Sequence, residues 1–218
     1  MIVSTDYLKK EFSPYSPKIT VIPNGIDFAI WDTVKAPKPH TGIKIGWCGG
    51  GSHNEDIKSI EPVIHRILDK YKNVKFVITG GDVPKLKPHK RLKVYVSWSD
   101  ILKYPPHLAN LGFDIGIAPL LDNGFNRGKS AIRWMEYSAL HIPTVASKIE
   151  PFNKAIGDGV TGYLAHTEDE WFIALSTLIE NETLRVTIGQ NAYNEVKENY
   201  NVEKISNQYV EELKKWVN

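Results

Sequence analysis

Six short apolar, β-branched runs, separated by longer stretches of helical character, fill residues 43–165, and this alternation constrains the fold more than any other feature of the chain. The runs cover residues 43–48, 75–79, 93–96, 115–118, 144–147 and 162–165. Each is almost continuous in apolar character, as strands covered on both faces are, and strands alternating with helices build a parallel sheet with helices on either side. The expectation is an α/β fold with a Rossmann-like, doubly wound parallel sheet of about six strands. Between the first two runs, Ile57, Ile60, Ile64, Ile67 and Leu68 recur at helical spacing behind Asn54, Glu55 and Asp56, polar and acidic residues that suit a helix start. Three more helices are expected over residues 169–180, 182–198 and 202–216, with Asn199 and Asn201 breaking the last two apart.

The first forty residues follow another pattern. Residues 2–4 and 18–22 have strand character, residues 5–12 form a short helix opened by Thr5 or Asp6, and Pro23-Asn24-Gly25 is a tight turn signal. Residues 35–40, with Pro37 and Pro39, have the character of an extended linker. The organisation expected is therefore 1–40 as the tail of another unit plus linker, 41–200 as the sheet domain, and 201–218 as a long amphipathic closing helix.

With 42% hydrophobic and 24% charged residues among 218, the chain can bury a full core. Its formal net charge of +2, with acidic residues interspersed among basic ones, argues against a nucleic-acid partner. A single cysteine, Cys48, excludes an intrachain disulfide and a cysteine-built zinc site, and suits a cytoplasmic setting. The seven histidines show no HExxH-like spacing, so no metal is expected. No apolar run approaches the roughly 20 residues that span a bilayer, and Met1 to Asp6 lacks the pattern of a signal peptide.

Two segments carry candidate chemistry. The first strand of the domain runs into Gly49-Gly50-Gly51-Ser52-His53 and then into a helix, where free N–H groups and the helix dipole favour an anion such as phosphate. A tight turn with no ligand explains three glycines equally well. The second segment, Asn123-Gly124-Phe125-Asn126-Arg127-Gly128-Lys129-Ser130, leads into a helix bearing Arg133 and Glu136. A helix starting near Ser130 would bring Lys129, Arg133 and Glu136 to its N-terminal end, two cations for phosphates and a carboxylate for ribose hydroxyls. The alternative is an exposed Arg133–Glu136 ion pair on a surface helix. A base would rest near the end of the third strand, where Trp98 could stack on it or simply cap the core. Asp114 and Asp158 have the character of capping or turn residues.

The segments ITVIPNGID (19–27), FNRGKSAIRWMEYSALHIPTVAS (125–147) and GDGVTGYLA (157–165), with the glycine turn between the first two, resemble in order the C-terminal portion of GT-B glycosyltransferases of family 4, the glycosyltransferase group 1 proteins. The resemblance implies that residues 1–22 are the last elements of an N-terminal domain lying mostly outside this chain, that residues 41–200 bind a nucleoside diphosphate sugar carried on UDP or GDP, and that the final helix packs back on the N-terminal domain. It assigns Glu136 to the second glutamate of the family's E-x7-E motif, contacting the donor ribose. Gly128 stands where the first glutamate belongs. Lys129, with Arg133 beside it, would meet the diphosphate, and Gly50, Gly51 and His53 would approach the phosphates; Asn126 and Ser130 belong to the FN and KS pairs of the motif. Lys129 and Glu136 are thus the catalytic candidates.

The implied reaction is sugar transfer to a glycan or lipid-linked acceptor held by the N-terminal domain, retaining the anomeric configuration, in bacterial surface polysaccharide synthesis at the inner face of the membrane. No further cofactor is implied. Apolar surface on the last helix and over residues 1–12 would support self-association. A catalytically inactive nucleotide-binding or interaction module, motivated by Gly128, and a GT-B-like sugar-nucleotide epimerase or phosphorylase are the competing readings.

Overall fold

The structure is a computed structural model describing residues 1–97 and 99–217, with side chains through residue 215. At the start, β1 (Ile2–Val3) and β2 (Thr20–Val21) pair in parallel around α1 (Asp6–Phe12), whose N-cap Thr5 accepts the Leu8 N–H at 3.2 Å. The short α2 (Phe28–Trp31), capped by Asp27, buries Phe28 and Trp31 against the main domain.

That domain runs β3 (Ile43–Gly49), α3 (Asn54–Ser59), α4 (Glu61–Lys70), β4 (Val74–Gly80), β5 (Leu92–Val96), α5 (Tyr104–Leu111), β6 (Ile115–Ala118), α6 (Gly124–Arg127), α7 (Ile132–Ser138), β7 (Thr144–Ser147), α8 (Phe152–Ala155) and β8 (Tyr163–Ala165). It closes with α9 (Glu168–Glu180), α10 (Glu182–Asn199) and α11 (Val202–Val217). Six parallel strands stand in the order β5-β4-β3-β6-β7-β8, so the chain winds outward from β3, returns to the middle at β6 and winds the other way. Ligands of such sheets sit at the carboxyl ends of the strands beside that reversal, here between β3 and β6.

Alternation along β3 splits the core in two. Ile43, Ile45 and Trp47 join Ile64, Leu68, Trp171 and Leu175 of α4 and α9 on one face. On the other face, Cys48 joins Trp134 and Tyr137 of α7 and Ala192 and Val196 of α10. Gly116 of β6 lets α7 settle close, since a β-carbon there would stand 2.5 Å from the Tyr137 ring.

The six strands lie where the apolar runs place them, but three other expectations change. The helix expected after β3 is broken at Ile60 (φ −105°, ψ 8°), between α3 and α4, and Pro62, with no N–H to donate, opens the second piece. Helix α7 begins at Ile132 with Ala131 as its N-cap, so Lys129 and Ser130 precede it. Basic residues are also concentrated: residues 72–93 hold Lys72, Lys75, Lys85, Lys87, Lys90, Arg91 and Lys93 against Asp82 alone, leading into the edge strand β5. Lysines at an edge discourage pairing with a second chain.

The two ends of the chain meet. Ile26 and Asn201 form a parallel bridge in which the Ile26 N–H donates to Tyr200 O at 2.7 Å and the Val202 N–H donates to Ile26 O at 2.9 Å. Farther along α11, the Thr20 hydroxyl donates to Glu212 Oε1 at 2.7 Å. Phe12, Tyr15, Tyr209, Val210 and Leu213 are exposed apolar or aromatic residues of these end segments. No helix among the described residues is long and apolar enough to cross a membrane.

Candidate functional site

Strand β3 ends at Gly49 and turns through Gly50 into a single 3-10 turn, Gly51–His53, that leads into α3. The glycines serve different ends. A β-carbon on Gly49 would stand 2.4 Å from Arg133 Nη2, so glycine here leaves room for the guanidinium. Around Gly50 nothing lies within 4 Å of that position, and its backbone is extended (φ −94°, ψ 162°). Gly51 faces the Asp82 carboxylate, 2.6 Å from its would-be β-carbon.

Across the cleft, α7 carries Arg133 and Glu136 one turn apart on a face turned toward β3. Arg133 Nη1 lies 3.8 Å from Glu136 Oε2, the Tyr104 hydroxyl donates to the same oxygen at 3.1 Å, and the guanidinium stands 5.2 Å from the Trp47 ring centre. With side-chain exposures of 15% and 17%, Arg133 and Glu136 are no exposed surface pair. Burial raises the Glu136 carboxyl above its usual range, with Arg133 and the Tyr104 hydrogen bond pulling it back.

Two cavities adjoin at Arg133 and Ile132, which line both. The larger, about 350 Å³, is bounded by Gly49, Gly50, Gly80, Ser97, Tyr104 and Glu136 among others. The smaller, about 230 Å³, is bounded by Trp47, His53, Leu120, Lys129, Ser130 and Phe152 among others. The glycine turn and the Lys129–Glu136 segment therefore share one crevice beside the β3–β6 reversal.

Lys129 lies in the smaller cavity, its Nζ 3.3 Å from His53 Nδ1, 3.8 Å from Asp56 Oδ2 and 4.7 Å from the Phe125 ring centre. Burial pushes its ammonium below the ordinary lysine range; Asp56 works against that shift and Arg133 with it.

The remaining candidates separate. Asn126 is buried, and its Nδ2 donates to Asp56 Oδ1 at 2.8 Å and to Leu121 O at 2.9 Å, so it supports the site from behind. Ser130 accepts from Asn24 Nδ2 at 2.8 Å, joining the Pro-Asn-Gly turn to the cavity wall. Gly51 lines neither cavity. Trp98 lies outside the described residues. Gly128 sits against α1, its would-be β-carbon 3.2 Å from Leu8 Cδ2. Asp114 accepts the Lys44 N–H at 2.7 Å and Asp158 accepts the Leu164 N–H at 2.9 Å, both in fold-holding roles. Among the described residues no group of three or more His, Cys, Asp or Glu could hold a metal ion.

Sequence reasoning missed two residues here. Asp56 has the sequence signature of an ordinary helix-start acid, and nothing in one dimension marks it as buried. Tyr104 opens α5, and Pro105 at its second position is the signal that could have located that helix.

Fold and crevice define a Rossmann-like domain with a cationic, glycine-edged cleft at the sheet's reversal. Residues 42–181 match the family described as glycosyl transferases group 1, and the chain belongs to that family. No curated protein matches it by sequence. Among solved structures, HepE from Anabaena in complex with UDP and glucose is 18% identical with a TM-score of 0.78, covering 98% of this chain and 62% of its own. A glycosyltransferase from Rickettsia africae is 14% identical with a TM-score of 0.77, covering 100% and 63%. A TarM mutant from S. aureus, in complex with fondaparinux, α-GlcNAc-glycerol and UDP, is 17% identical with a TM-score of 0.74, covering 96% and 43%. The chain thus shares the GT-B Rossmann-like fold and spans less than two thirds of each of these three proteins.

Proposed function

We propose that this chain is the donor-binding half of a glycosyltransferase that takes a sugar from a nucleoside diphosphate. Arg133 carries the reading: one guanidinium borders both cavities, with the Gly49–Gly50 turn on one side and Lys129 on the other. The diphosphate would lie across Arg133, within reach of Lys129 and the free N–H groups of the turn, and the ribose in the larger cavity beside Glu136. Glu136 Oε2 is engaged by Tyr104 and Arg133, so Oε1 is the oxygen offered to ribose hydroxyls. As the bond from the anomeric carbon to the diphosphate oxygen breaks, the charge growing on the leaving group is met by cations already in position. UDP bound to the structurally similar HepE and TarM proteins supports a UDP-linked donor.

The acceptor, a glycan or lipid-linked sugar, would be presented by the N-terminal half of a longer chain, with retention of configuration and a role in surface polysaccharide synthesis at the inner membrane face. The exposed apolar residues of α1 and α11 would pack against that half, or against a second copy in its absence.

Calorimetry with UDP, GDP and UDP-glucose tests the donor site. Binding of one nucleotide, weakened about tenfold or more in Arg133→Met through loss of charge-assisted hydrogen bonds, is expected; no binding of any would overturn the proposal. Gly128 favours a second reading, a nucleotide-binding module without transfer, because Leu8 covers the position of the family's first glutamate. Sugar transfer by the longer chain, lost in Glu136→Ala with the fold intact, would reject it.

A further inference from the structure

We infer that Asp56, which the proposed donor site does not touch directly, is a positioning residue: its buried carboxylate holds Lys129 as a cation at the place where the diphosphate arrives. The inference rests on the donor-site reading above and concerns how that site keeps its charge.

Asp56 is 3% exposed, and the two oxygens of its carboxylate face different ways. Oδ1 accepts from the Leu121 N–H and from Asn126 Nδ2, both at 2.8 Å, which ties it to the loop after β6 and to α6. Oδ2 accepts from His53 Nδ1 at 2.9 Å and stands 3.8 Å from Lys129 Nζ, which ties it to the cavity. One side chain on α3 thereby connects the glycine turn, the β6 loop and the segment before α7, each of which lines part of the smaller cavity. A buried carboxylate with so many partners stays ionised, and His53, Leu121, Asn126 and Lys129 together outweigh the burial that would otherwise protonate it.

Lys129 needs that anion. The charged and titratable groups about it are Asp56 and His53 from the glycine turn and α3, and Arg133 from α7, with the Phe125 ring alongside. Burial and Arg133 both favour losing its proton; Asp56 is the group that favours keeping it. Without Asp56 the ammonium would surrender its proton at a lower pH, and a neutral amine contributes little to holding a diphosphate.

The test uses this chain with UDP as probe. Wild type, Asp56→Asn and the double variant Asp56→Asn/Lys129→Arg are titrated with UDP at pH 7 and pH 9. Separately, the Lys129 side chain is followed by NMR through a pH titration in the absence of nucleotide. Asparagine can still accept from the Leu121 N–H, and thermal melting checks that the fold survives. The expected wild-type affinity is level between the two pH values. In Asp56→Asn it falls about tenfold more at pH 9 than at pH 7, the scale of one charge-assisted hydrogen bond. Arginine at position 129, which does not titrate in this range, restores the level profile, and the NMR titration midpoint of Lys129 moves down in Asp56→Asn. An equal loss at both pH values, no loss at either, or an unmoved Lys129 midpoint would overturn the inference. Wild type that binds no UDP, GDP or UDP-glucose while the midpoint still moves would instead overturn the donor-site reading and leave Asp56 with a structural coupling only.

Discussion

Substituting alanine at Gly50 and at Gly80 separates a glycine kept for a ligand from one kept for the fold. A β-carbon on Gly80 would stand 1.7 Å from the Gly49 carbonyl oxygen, and the obstacle is backbone on a paired strand, so β3 and β4 must part by more than an ångström. Overpacking of that kind costs roughly 1–3 kcal/mol. At Gly50 the same methyl meets nothing within 4 Å, and φ is −94°, a conformation any residue adopts. Gly50→Ala should therefore leave unfolding free energy unchanged or raise it by up to about 1 kcal/mol, through the lower entropy of the unfolded chain. Its methyl enters the space where phosphate would approach the turn, and one methyl of misfit in a binding site is worth about 1–3 kcal/mol, roughly tenfold to two-hundredfold in affinity. Urea unfolding read by tryptophan fluorescence, alongside UDP calorimetry, measures both quantities on the same samples. Gly50→Ala that binds UDP like wild type, or that loses more than about 1.5 kcal/mol of stability, would refute the assignment of Gly50 to the ligand.

Three further outcomes are expected. Arg91 donates to Tyr71 O at 2.5 Å, to Val74 O at 2.9 Å and to Leu68 O, closing the end of α4 onto β4, so Arg91→Met should lower unfolding free energy by roughly 1–3 kcal/mol in urea melts without changing UDP affinity. Burial raises the Glu136 carboxyl, so the folded chain binds that proton more tightly than the unfolded chain does, and this group's contribution to stability falls as pH rises from below 4.5 through the folded value. Glu136→Gln should remove that slope from melting temperatures recorded across the range and weaken UDP binding about tenfold. For Asp56 the sign is opposite: despite burial, its partners hold the folded carboxyl below 3.8, so its contribution is present above that pH and lost as pH falls through the folded value. Acid unfolding followed by circular dichroism should show less acid sensitivity in Asp56→Asn than in wild type.

Much of this architecture could be read in one dimension because parallel strands covered on both faces are nearly continuous in apolar residues, as the six runs are apart from positions such as Lys44, Lys75 and Lys93. The crevice was partly legible: the glycines fall at a strand end, where the structure places a cavity wall, and Arg133 and Glu136 stand three apart on the helix that faces it. Other features depend on contacts between distant segments. Asp56 is a helix-start acid by sequence, and becomes a buried hub only because the loop after β6 and α6 bring Leu121 and Asn126 against it. Gly51 shares its neighbours' composition yet faces Asp82, a distinction set by the loop after β4. The break at Ile60 was recoverable, since Pro62 stands two residues beyond it, whereas the early reach of Lys129 ahead of α7 followed from no local signal.

The bridge between Ile26 and Asn201 has a mechanical consequence. Where the polypeptide leaves the opening ribbon and where it returns toward it, the two passages are clamped by a reciprocal pair of main-chain bonds, and so cannot slide past one another. With Thr20 of the opening ribbon also donating to Glu212, the ribbon and α11 are held at two points along their length, so that rocking of the one would draw the other along. Among the contacts that rocking would break, Asn24 with Ser130 and Lys154 with Asp6 are exposed side-chain pairs that water can replace at little cost, while Leu8 against Gly128 is apolar packing.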